Sequence, residues 1–448
     1  MAQALTVGDK THAMSLKSKS AQDIVITGVG IVSPVGIGLS ALTENLRAGA
    51  TGISKSKFFP GFASPDAVTA EIGDFNEETA KKIYLKEVRR SIKLMCRDIQ
   101  LGVASALMAL EDSKLNMESI DHTRMGVEFG ANLMLSEPAV LGGPAVAMSE
   151  ITGDASFKGW GEAGYSKMEP LWLLRYLPNM PACHISIASD ARGPSNSLTL
   201  DEASGNVVIG EAVRILQRGA ADIMITGATG SYSHPVRTLH LALVKTLLAS
   251  SPAEPARRSR PFEKDRSGFV VGEGAGTLIL ETRAHAEARG ATIYGRVLST
   301  GAATCVNPDG QPRYQDAVKG ALKAALRSAE MEPTDIGHYN AHAAGLPEAD
   351  AAEARAINEV FGSYRVPVTA PKSYVGNSSA GSGLVELMTS LAGVKAGFIP
   401  RTLNYETPDP ACDVSIVTDP GVSPALKTFV SMNVTRKGQA AAVIIEVE

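Results

Sequence analysis

The stretch GPSNSLTLDEASGNVVIGEAVRILQRGAADIMITGAT (193–229) has the pattern of an α/β unit. Together with HISIASDAR (184–192) before it, it predicts a strand, a helix of about a dozen residues and a second strand. The turn ahead of the helix presents Glu202 at the helix N-terminus. Free N–H groups and the helix dipole both favour negative charge at such a position. The sequence therefore predicts a carboxylate where a turn and a helix start would position a nucleophile.

A second segment repeats this strand–turn–helix device. VPVTAPKSYVGNSSAGSGLVELMTSLAGVKAG (366–397) predicts a strand, a turn and a helix that begins with small residues. The two copies, at 197–217 and 367–395, indicate an internal duplication by pattern. Elsewhere the periodicity predicts one long helical segment over 77–113 and a loop-rich or short-helix insertion over 150–180.

Length and composition restrict the class of protein. The 448 residues exceed one ordinary core, and 44% hydrophobic with 20% charged residues is typical of a globular chain. A net charge of −4 disfavours a nucleic-acid partner, and no apolar run is long enough to span a membrane. The cysteines have no paired spacing, which predicts neither a zinc site nor disulfides and favours the reducing cytoplasm; they are Cys96, Cys183, Cys305 and Cys412.

Six segments together are similar to one family. They are VITGVGIVSPVG (25–36), GPSNSLTLDEASGNVVIGEA (193–212), SRPFEKDRSGFVVGEGAGTLILE (259–281), NAHAAGLPEADAAEARAINEVFG (340–362), PKSYVGNSSAGSGLVE (371–386) and LNYETPDPACDV (403–414). They resemble the β-ketoacyl-[acyl carrier protein] synthases of the elongating type. The resemblance implies an α/β, thiolase-like fold, with two similar halves in a five-layered αβαβα sandwich, and a dimer. We expect a flexible tail (1–22), an N-terminal half (23–285) and a C-terminal half (286–448).

The resemblance also assigns site residues. The family acylates a Cys at a helix N-terminus and uses two His residues, a Lys and an acidic residue. Glu202 stands at the Cys position, and Asn377, five residues after the Lys, stands at the second His position. The first His, the Lys and the acid remain as His342, Lys372 and Glu353, with Asp350 nearby.

Two further regions are implied by the resemblance. The glycine-rich gating loop of the family corresponds to Thr435, Arg436, Lys437 and Gly438, so most of its glycines are missing. The basic residues of KEVRRSIK have the i, i+3, i+4, i+7 spacing of one helix face, which in the family docks an acidic acyl carrier protein; they are Lys86, Arg89, Arg90 and Lys93. The alternative is a solvated surface face.

These departures predict a protein that does not condense acyl groups alone. A carboxylate is a poor nucleophile toward thioesters, and its acyl adduct would be a mixed anhydride. The leading hypothesis is a chain-length-factor-like partner, in a homodimer or heterodimer with an active ketosynthase, that contacts the acyl chain and a carrier protein. No cofactor or metal is expected.

Alternative interpretations remain open. Glu202 is either an acid filling an inactive site or, protonated by burial, a mimic of the Gln that decarboxylating relatives carry. His342 is either an oxyanion donor or a core histidine, and Lys372 is expected to form a structural ion pair with Glu202 or Glu353. Two other functions therefore remain open. The chain is a decarboxylase or other processing enzyme for carrier-bound acyl groups, or it is a true synthase acting at a displaced cysteine.

Overall fold

The fold is an α/β structure with many strands. The computed structural model describes residues 18–57, 67–154, 157–244 and 247–448. The strands are β1 (Ile24–Ser33), β2 (Gly36–Ile37), β3 (Ile53–Lys55), β4 (Val68–Ala70), β5 (Met125–Gly130), β6 (Ser195–Leu198), β7 (Ile223–Ser231), β8 (Val271–Thr282), β9 (Gly295–Thr304), β10 (His338–Asn340), β11 (Pro367–Thr369), β12 (Ser415–Ile416), β13 (Thr428–Val434) and β14 (Gln439–Val447). The helices are α1 (Leu39–Ala48), α2 (Glu77–Thr79), α3 (Arg97–Ser113), α4 (Pro138–Thr152), α5 (Met180–Ser189), α6 (Ser204–Gln217), α7 (Pro235–Leu243), α8 (Arg283–Ala288), α9 (Tyr314–Ala329), α10 (Pro347–Phe361), α11 (Lys372–Val375) and α12 (Ser382–Lys395).

The two halves of the chain share one strand order. The N-terminal half runs β1-β8-β7-β5-β6 and the C-terminal half runs β9-β14-β13-β10-β11, with β12 beyond. In each half the first three strands are antiparallel to their neighbours, and the later pairings are parallel. A short antiparallel contact between β1 and β9 joins the halves into one sheet path. The predicted pair of similar halves is confirmed, whereas a boundary near residue 285 stays a prediction.

Helices and sheets alternate in five layers. Helices α6 and α12 lie in the middle, where each contacts strands of both halves and the two contact each other. Helices α3 and α5 cover the outer side of the N-terminal strands, and α9 and α10 cover the C-terminal side. The fold class predicted from the resemblance, αβαβα, is therefore the one observed.

Apolar side chains explain this layering. Because both faces of the strands are covered, they are apolar along nearly their whole length, and every residue of β1 is buried. The middle helix α12 has thirteen of its fourteen residues buried, from Ser382 to Val394. A helix buried on all sides needs small residues as well as large ones, and GSGLVELMTSLAG supplies both. The sequence thus places α12 at the centre of the molecule.

Two predicted elements are wrong in detail. Residues 184–189 belong to helix α5, so Cys183 lies in a helix and the strand before α6 is the short β6. A short apolar run does not by itself distinguish a buried helix from a strand. The long helix predicted over 77–113 is interrupted. A π-helical turn, Ala80–Tyr84, ends at Leu85, and regular helix resumes only at Arg97.

The insertion, the N-terminal tail and the lack of a membrane-spanning segment are the remaining sequence predictions. The predicted insertion does form short helical turns, at Phe157–Gly159, Trp160–Gly164, Tyr165–Lys167 and Trp172–Arg175. Residues 1–17 of the predicted tail lie outside the described residues. Within the described ranges, no helix has both the length and the apolar character needed to cross a membrane.

Candidate active site

Glu202 lies where strand, turn and helix meet. A 3-10 turn, Asp201–Ala203, leads directly into α6, and the Glu202 side chain is only 3% exposed. Asp201 has a φ of +43°, a left-handed conformation that is costly for a residue with a side chain. The turn is fixed by the Leu200 amide, which donates to Ser204 Oγ at 2.9 Å. A strained turn therefore presents the Glu202 carboxyl at the helix start, as predicted.

The equivalent turn of the C-terminal half faces this one. Ser379 also has a positive φ, +57°, in the 3-10 turn that leads into α12. Asn132 lies between the two turns, because its Nδ2 donates to Ser379 Oγ at 2.9 Å and to an Asp201 carboxylate oxygen. The duplicated fold thus brings its two turns together at one site.

Two side chains hold the Glu202 carboxyl. Asn377 Nδ2 donates to Glu202 Oε1 at 3.0 Å, and the Tyr232 hydroxyl donates to the same oxygen at 3.3 Å. The Asn377 amide is oriented by Ser379, whose backbone N–H donates to Asn377 Oδ1 at 3.0 Å. Tyr232 was not foreseen from sequence; the one available signal was an aromatic residue in the otherwise small-residue run after β7.

The environment of Glu202 favours its neutral form. Burial raises the pKa of the Glu202 carboxyl, and the nearby charge of Asp201 raises it further, while Asn377 opposes the shift. A neutral Glu202 has an O–H to donate and resembles an amide in shape. The carboxyl is therefore suited to hydrogen bonding with a ligand and unsuited to nucleophilic attack.

His342 is connected to Glu202 through Lys372, which contacts His342 and whose charge opposes the rise in the pKa of Glu202, and His342 is 6% exposed. Lys372 Nζ lies 3.2 Å from His342 Nδ1 and donates to the His342 carbonyl oxygen at 2.8 Å. Burial, together with the Lys372 charge, lowers the pKa of His342 well below its ordinary value. Because the ammonium requires Nδ1 to accept, the ring proton lies on Nε2. The imidazole is thus a neutral donor, the form that stabilises an oxyanion without gaining charge.

Lys372 has a different ion-pair partner from the one expected. Its Nζ lies 2.7 Å from Glu386 Oε1, and both side chains are 1% exposed. The prediction of a pair with Glu202 or Glu353 is wrong, because α12 brings Glu386 under Lys372. Asn433 Nδ2 donates to the other Glu386 oxygen at 2.9 Å. Glu386 could have been noticed as the single acid in the apolar sequence of α12.

Glu353 supports the loop that carries His342. Its carboxylate accepts from the backbone N–H of His342 at 2.9 Å, from Ala343 at 2.8 Å and from the Tyr339 hydroxyl at 2.9 Å. Burial raises the pKa of Glu353 to about 7. Asp350, one turn earlier in α10, accepts from the Gly345 amide, and burial raises its pKa to about 6. Both acids therefore act on the backbone around His342.

The Thr435–Gly438 segment is the turn between β13 and β14. Gly438 has a φ of +74° and its amide donates to the Thr435 carbonyl at 3.0 Å. Lys437 Nζ lies 3.8 Å from an Asp201 carboxylate oxygen. The Tyr314 hydroxyl donates to the Arg436 carbonyl at 3.4 Å. The turn therefore lies near Asp201, and the gating role that the family resemblance implies for it stays a prediction.

The basic segment does not form a helix face. Residues 85–91 make successive turns, and a short 3-10 helix, Ile92–Leu94, follows. Leu85 and Ile92, at either end of these turns, are both buried in the core. The predicted single face is therefore wrong, although all four cations are exposed; these are Lys86, Arg89, Arg90 and Lys93.

The cysteines lie away from Glu202. Burial raises the pKa of the Cys96 and Cys412 thiols far above the ordinary range, to about 12 in Cys412. Cys183 receives a 3.6 Å contact from Asn179, and Cys305 follows the end of β9. Two of these thiols are therefore held protonated, and none is hydrogen-bonded to a residue of the site.

Comparison with known proteins identifies the family and the fold that this chain resembles. Residues 21–286 match the N-terminal domain of β-ketoacyl synthases and residues 291–406 match the C-terminal domain. The chain is similar to 3-oxoacyl-[acyl-carrier-protein] synthase 2 of Coxiella burnetii, with 32% identity over 91% of this chain and 94% of the relative. It is similar in structure to the ishigamide ketosynthase/chain length factor, with a TM-score of 0.80, 25% identity and coverage of 95% and 99%. A type II polyketide ketosynthase in complex with its acyl-carrier protein has a TM-score of 0.78 at 23% identity, over 95% of this chain and 99% of that one.

Proposed function

The chain belongs to the β-ketoacyl synthase family, and on that premise we propose that it is a non-condensing member of it. It would act in fatty-acid or polyketide synthesis as a chain-length-factor-like partner of an active ketosynthase. Its ligands would be the growing acyl chain and an acyl carrier protein, and it would work in the cytoplasm.

The hydrogen-bonded Glu202 is the observation that carries this proposal. Its carboxyl takes the position of the nucleophile, is buried, and is held through one oxygen by Asn377 and Tyr232. Acyl transfer to it would form an anhydride, which is a higher-energy acyl group than the thioester it came from. The arrangement supports a site that contacts acyl groups without accepting them covalently.

The other departures support the same conclusion. Asn377 cannot take or give a proton as the second imidazole would, so only the neutral His342 remains. At the β13–β14 turn, side chains on Thr435, Arg436 and Lys437 restrict a backbone that glycines would leave free to move. Three separate elements of the condensing machinery are thus altered together.

Exposed apolar surface supports an assembly with a second subunit. Large apolar side chains are exposed along one stretch of chain; they are Leu133, Val146, Ile151, Phe157, Tyr165, Leu171 and Ile187. A patch of this kind favours a protein interface. Strand β6, which follows this stretch, is the last strand of its sheet edge within the described residues. An unpaired edge is a second feature that favours association, with another copy or with an active synthase.

A carrier protein is the expected third component. The relative from Coxiella is named for an acyl-carrier-protein substrate, and a structural neighbour was solved with its carrier. In this chain Lys86, Arg89, Arg90 and Lys93 form an exposed basic segment. Such a cluster attracts an acidic partner over a distance of about 10 Å at ordinary salt.

Reconstitution tests the proposal directly. The purified chain, an acyl primer on carrier protein and malonyl-carrier protein should yield no elongated product. Addition of a Cys-bearing ketosynthase that co-purifies with the chain should yield products whose length depends on the chain. Elongation by the chain alone, or no effect on any synthase, would refute the proposal.

Decarboxylation is the second candidate, and the neutral donors at the site favour it. The bond between the malonyl carboxylate and the α-carbon would break, carbon dioxide would leave, and the electron pair would pass to the thioester enolate. His342 Nε2–H would stabilise the enolate oxygen until the α-carbon takes up a proton. Carbon dioxide release from malonyl-carrier protein that disappears in His342→Ala supports this candidate, and absence of release excludes it.

Condensation at a displaced cysteine is the remaining alternative. It would require one of the four thiols to become acylated. Mass spectrometry of the chain after incubation with a covalent ketosynthase inhibitor tests this. Because Cys96 and Cys412 are held protonated, we expect no adduct on them, and an adduct on any thiol that blocks elongation would establish the alternative.

A further inference from the structure

Glu128 is a buried carboxyl that lacks a partner for one oxygen. It lies on β5 and has no exposed surface. Among the described residues no donor reaches Glu128 Oε2, and Oε1 has only a 3.4 Å contact from Asn196 Nδ2. The site and the family resemblance leave this acid without a role. A buried carboxyl without hydrogen-bond partners is destabilising when ionised, so its presence calls for a partner.

The charges near Glu128 increase this cost. Burial, followed by the charge of Glu211 on α6, raises the pKa of Glu128 to about 7. The cations on the same helix are already engaged, because Arg214 and Arg218 lie 3.2 and 3.7 Å from Glu211. On the inner side β7 offers only the hydroxyl of Thr226 at the paired position. No cation of the described residues compensates Glu128.

The open edge of the sheet is the side from which a further subunit can approach Glu128. Glu128 pairs in register with Asn196 of β6, so both side chains lie on the same face. In the described part of the chain no strand follows β6 at this edge, and Ser195 and Asn196 are exposed. A strand added there would lie about 4.8 Å from β6 and about twice that distance from β5. A long basic side chain on the added strand, next to Asn196, can span that distance to Glu128.

A second copy of this chain does not provide such a side chain from the same strand. Its β6 would bring Ser195, Asn196, Ser197 and Leu198, none of which is charged. Covering the edge with them would place the buried Glu128 further from bulk water without supplying a cation. We propose that Glu128 is a partner-selecting residue, which disfavours the homodimer and favours a different subunit whose edge strand carries Arg or Lys beside Asn196. The inference rests on the proposed function only in naming that subunit as the active ketosynthase.

Self-association of the full chain is the first test. Sedimentation measures the homodimer dissociation constant of wild type, Glu128→Gln and Asp190→Asn at pH 6.0 and 8.5. Asp190 is an exposed acid near the same edge, paired with Arg192, and serves as the matched control. We expect the wild-type constant to rise about tenfold or more between the two pH values, because a second copy places the ionised Glu128 further from bulk water without supplying a cation. The Glu128→Gln chain should form its homodimer equally tightly at both pH values, and more tightly than wild type at pH 8.5. The Asp190→Asn chain should behave like wild type.

Association with the companion synthase is the second test. Glu128→Gln should weaken this heterodimer about tenfold or more at pH 8.5, the opposite of its effect on the homodimer. A general folding defect would weaken both, and melting temperatures of the variants measure it. A wild-type homodimer equally tight at both pH values, or the same sign of change in both assemblies, overturns the inference. If Glu128 controls association but product length never depends on this chain, the proposed function fails and the inference stands.

Discussion

The amide of Asn377 donates to the carboxyl of Glu202 at 3.0 Å, although the two residues are 175 positions apart. Each stands beside the turn that begins a middle helix, Glu202 before α6 and Asn377 before α12. The contact therefore joins the segments that lead into the two middle helices, one from each half of the chain. A thiol facing an imidazole here would form a reactive pair, whereas a carboxyl facing an amide forms a hydrogen bond without an ionisable nucleophile.

Glu202→Gln should stabilise the chain at alkaline pH. Burial raises the pKa of Glu202 above its ordinary value of 4.5, so stability is lost as the pH rises from about 4.5 through the raised pKa, and above that pKa the full penalty of the buried charge remains. Gln keeps the oxygen that accepts from Asn377 and carries no charge. We expect the free energy of unfolding to increase by about 1–3 kcal/mol at pH 8.5 and to change little at pH 5. Urea unfolding at both pH values measures this.

Glu353→Gln is the matched comparison for Glu202→Gln, and it should lower the free energy of unfolding rather than raise it. Its two oxygens accept three hydrogen bonds, from Tyr339 and from the amides of His342 and Ala343. An amide –NH2 in place of one oxygen would face a donor. Unfolding should become easier by about 1–3 kcal/mol. Equal effects of the two substitutions would contradict the assigned hydrogen bonding.

Lys372→Met should be strongly destabilising. The substitution leaves Glu386 buried without its cation, and breaking one partner of a buried pair costs about 3–5 kcal/mol. The double variant Lys372→Met with Glu386→Gln should recover most of this loss, because no unpaired charge remains. Denaturant unfolding of the two single variants and the double variant completes the cycle. Additive losses would show that the two side chains do not interact.

Sequence patterns reached the main features of the site because those features are local. The spacing from Gly193 to Glu202, and from Lys372 to Asn377, is fixed along the chain. A strand–turn–helix pattern predicts which residue the turn presents. The duplicated pattern was enough to anticipate two similar halves, and it placed both turns correctly.

The rest depends on contacts between distant segments. Tyr232 reaches Glu202 because β7 ends beside the turn, and Glu386 reaches Lys372 because α12 lies beneath it. Neither contact has a fixed spacing in sequence. The helix predicted over 77–113 is interrupted between Leu85 and Arg97, and the spacing of its apolar residues does not reveal this break. Contacts between distant segments therefore place Tyr232 and Glu386 where they are, and sequence spacing does not predict such contacts.

The pKa values of His342 and His285 should be shifted in opposite directions from the ordinary value of histidine. Burial and Lys372 lower the pKa of His342, whereas a hydrogen bond to Glu281 raises that of His285. The stabilisation from His285 is therefore complete below its unfolded pKa and is lost as the pH rises through the folded value. For His342, stability is lost as the pH falls below about 6.5, its ordinary value. NMR titration of the ring signals measures both, and a His342 that titrates at or above its ordinary value would contradict the neutral site.

Reversal of charge in the basic segment should weaken carrier binding. The double variant Arg89→Glu with Arg90→Glu replaces two exposed cations by acids, so an acidic carrier loses attraction and gains repulsion. We expect about a tenfold loss of affinity at low salt and a smaller loss at 0.5 M salt. Arg365→Glu, an exposed position paired with Asp413 in the other half, is the control. Equal losses for both sites would show a response to total charge rather than docking.

Glu202→Cys should restore a reactive thiol without restoring condensation. A cysteine at this turn gains the helix start that stabilises a thiolate, and we expect alkylation by iodoacetamide that is faster than at the four natural cysteines. Elongation needs more, because Asn377 cannot act as an acid or base and the β13–β14 turn keeps its bulky residues. Addition of Asn377→His should supply the second imidazole and increase acyl-enzyme formation, detected by intact-protein mass spectrometry. Lys372 and His342 already contact each other in the natural chain. If Glu202→Cys alone elongated a primer as fast as a natural synthase, Asn377 and the turn would not limit the reaction, and the loss of function would lie in Glu202 alone.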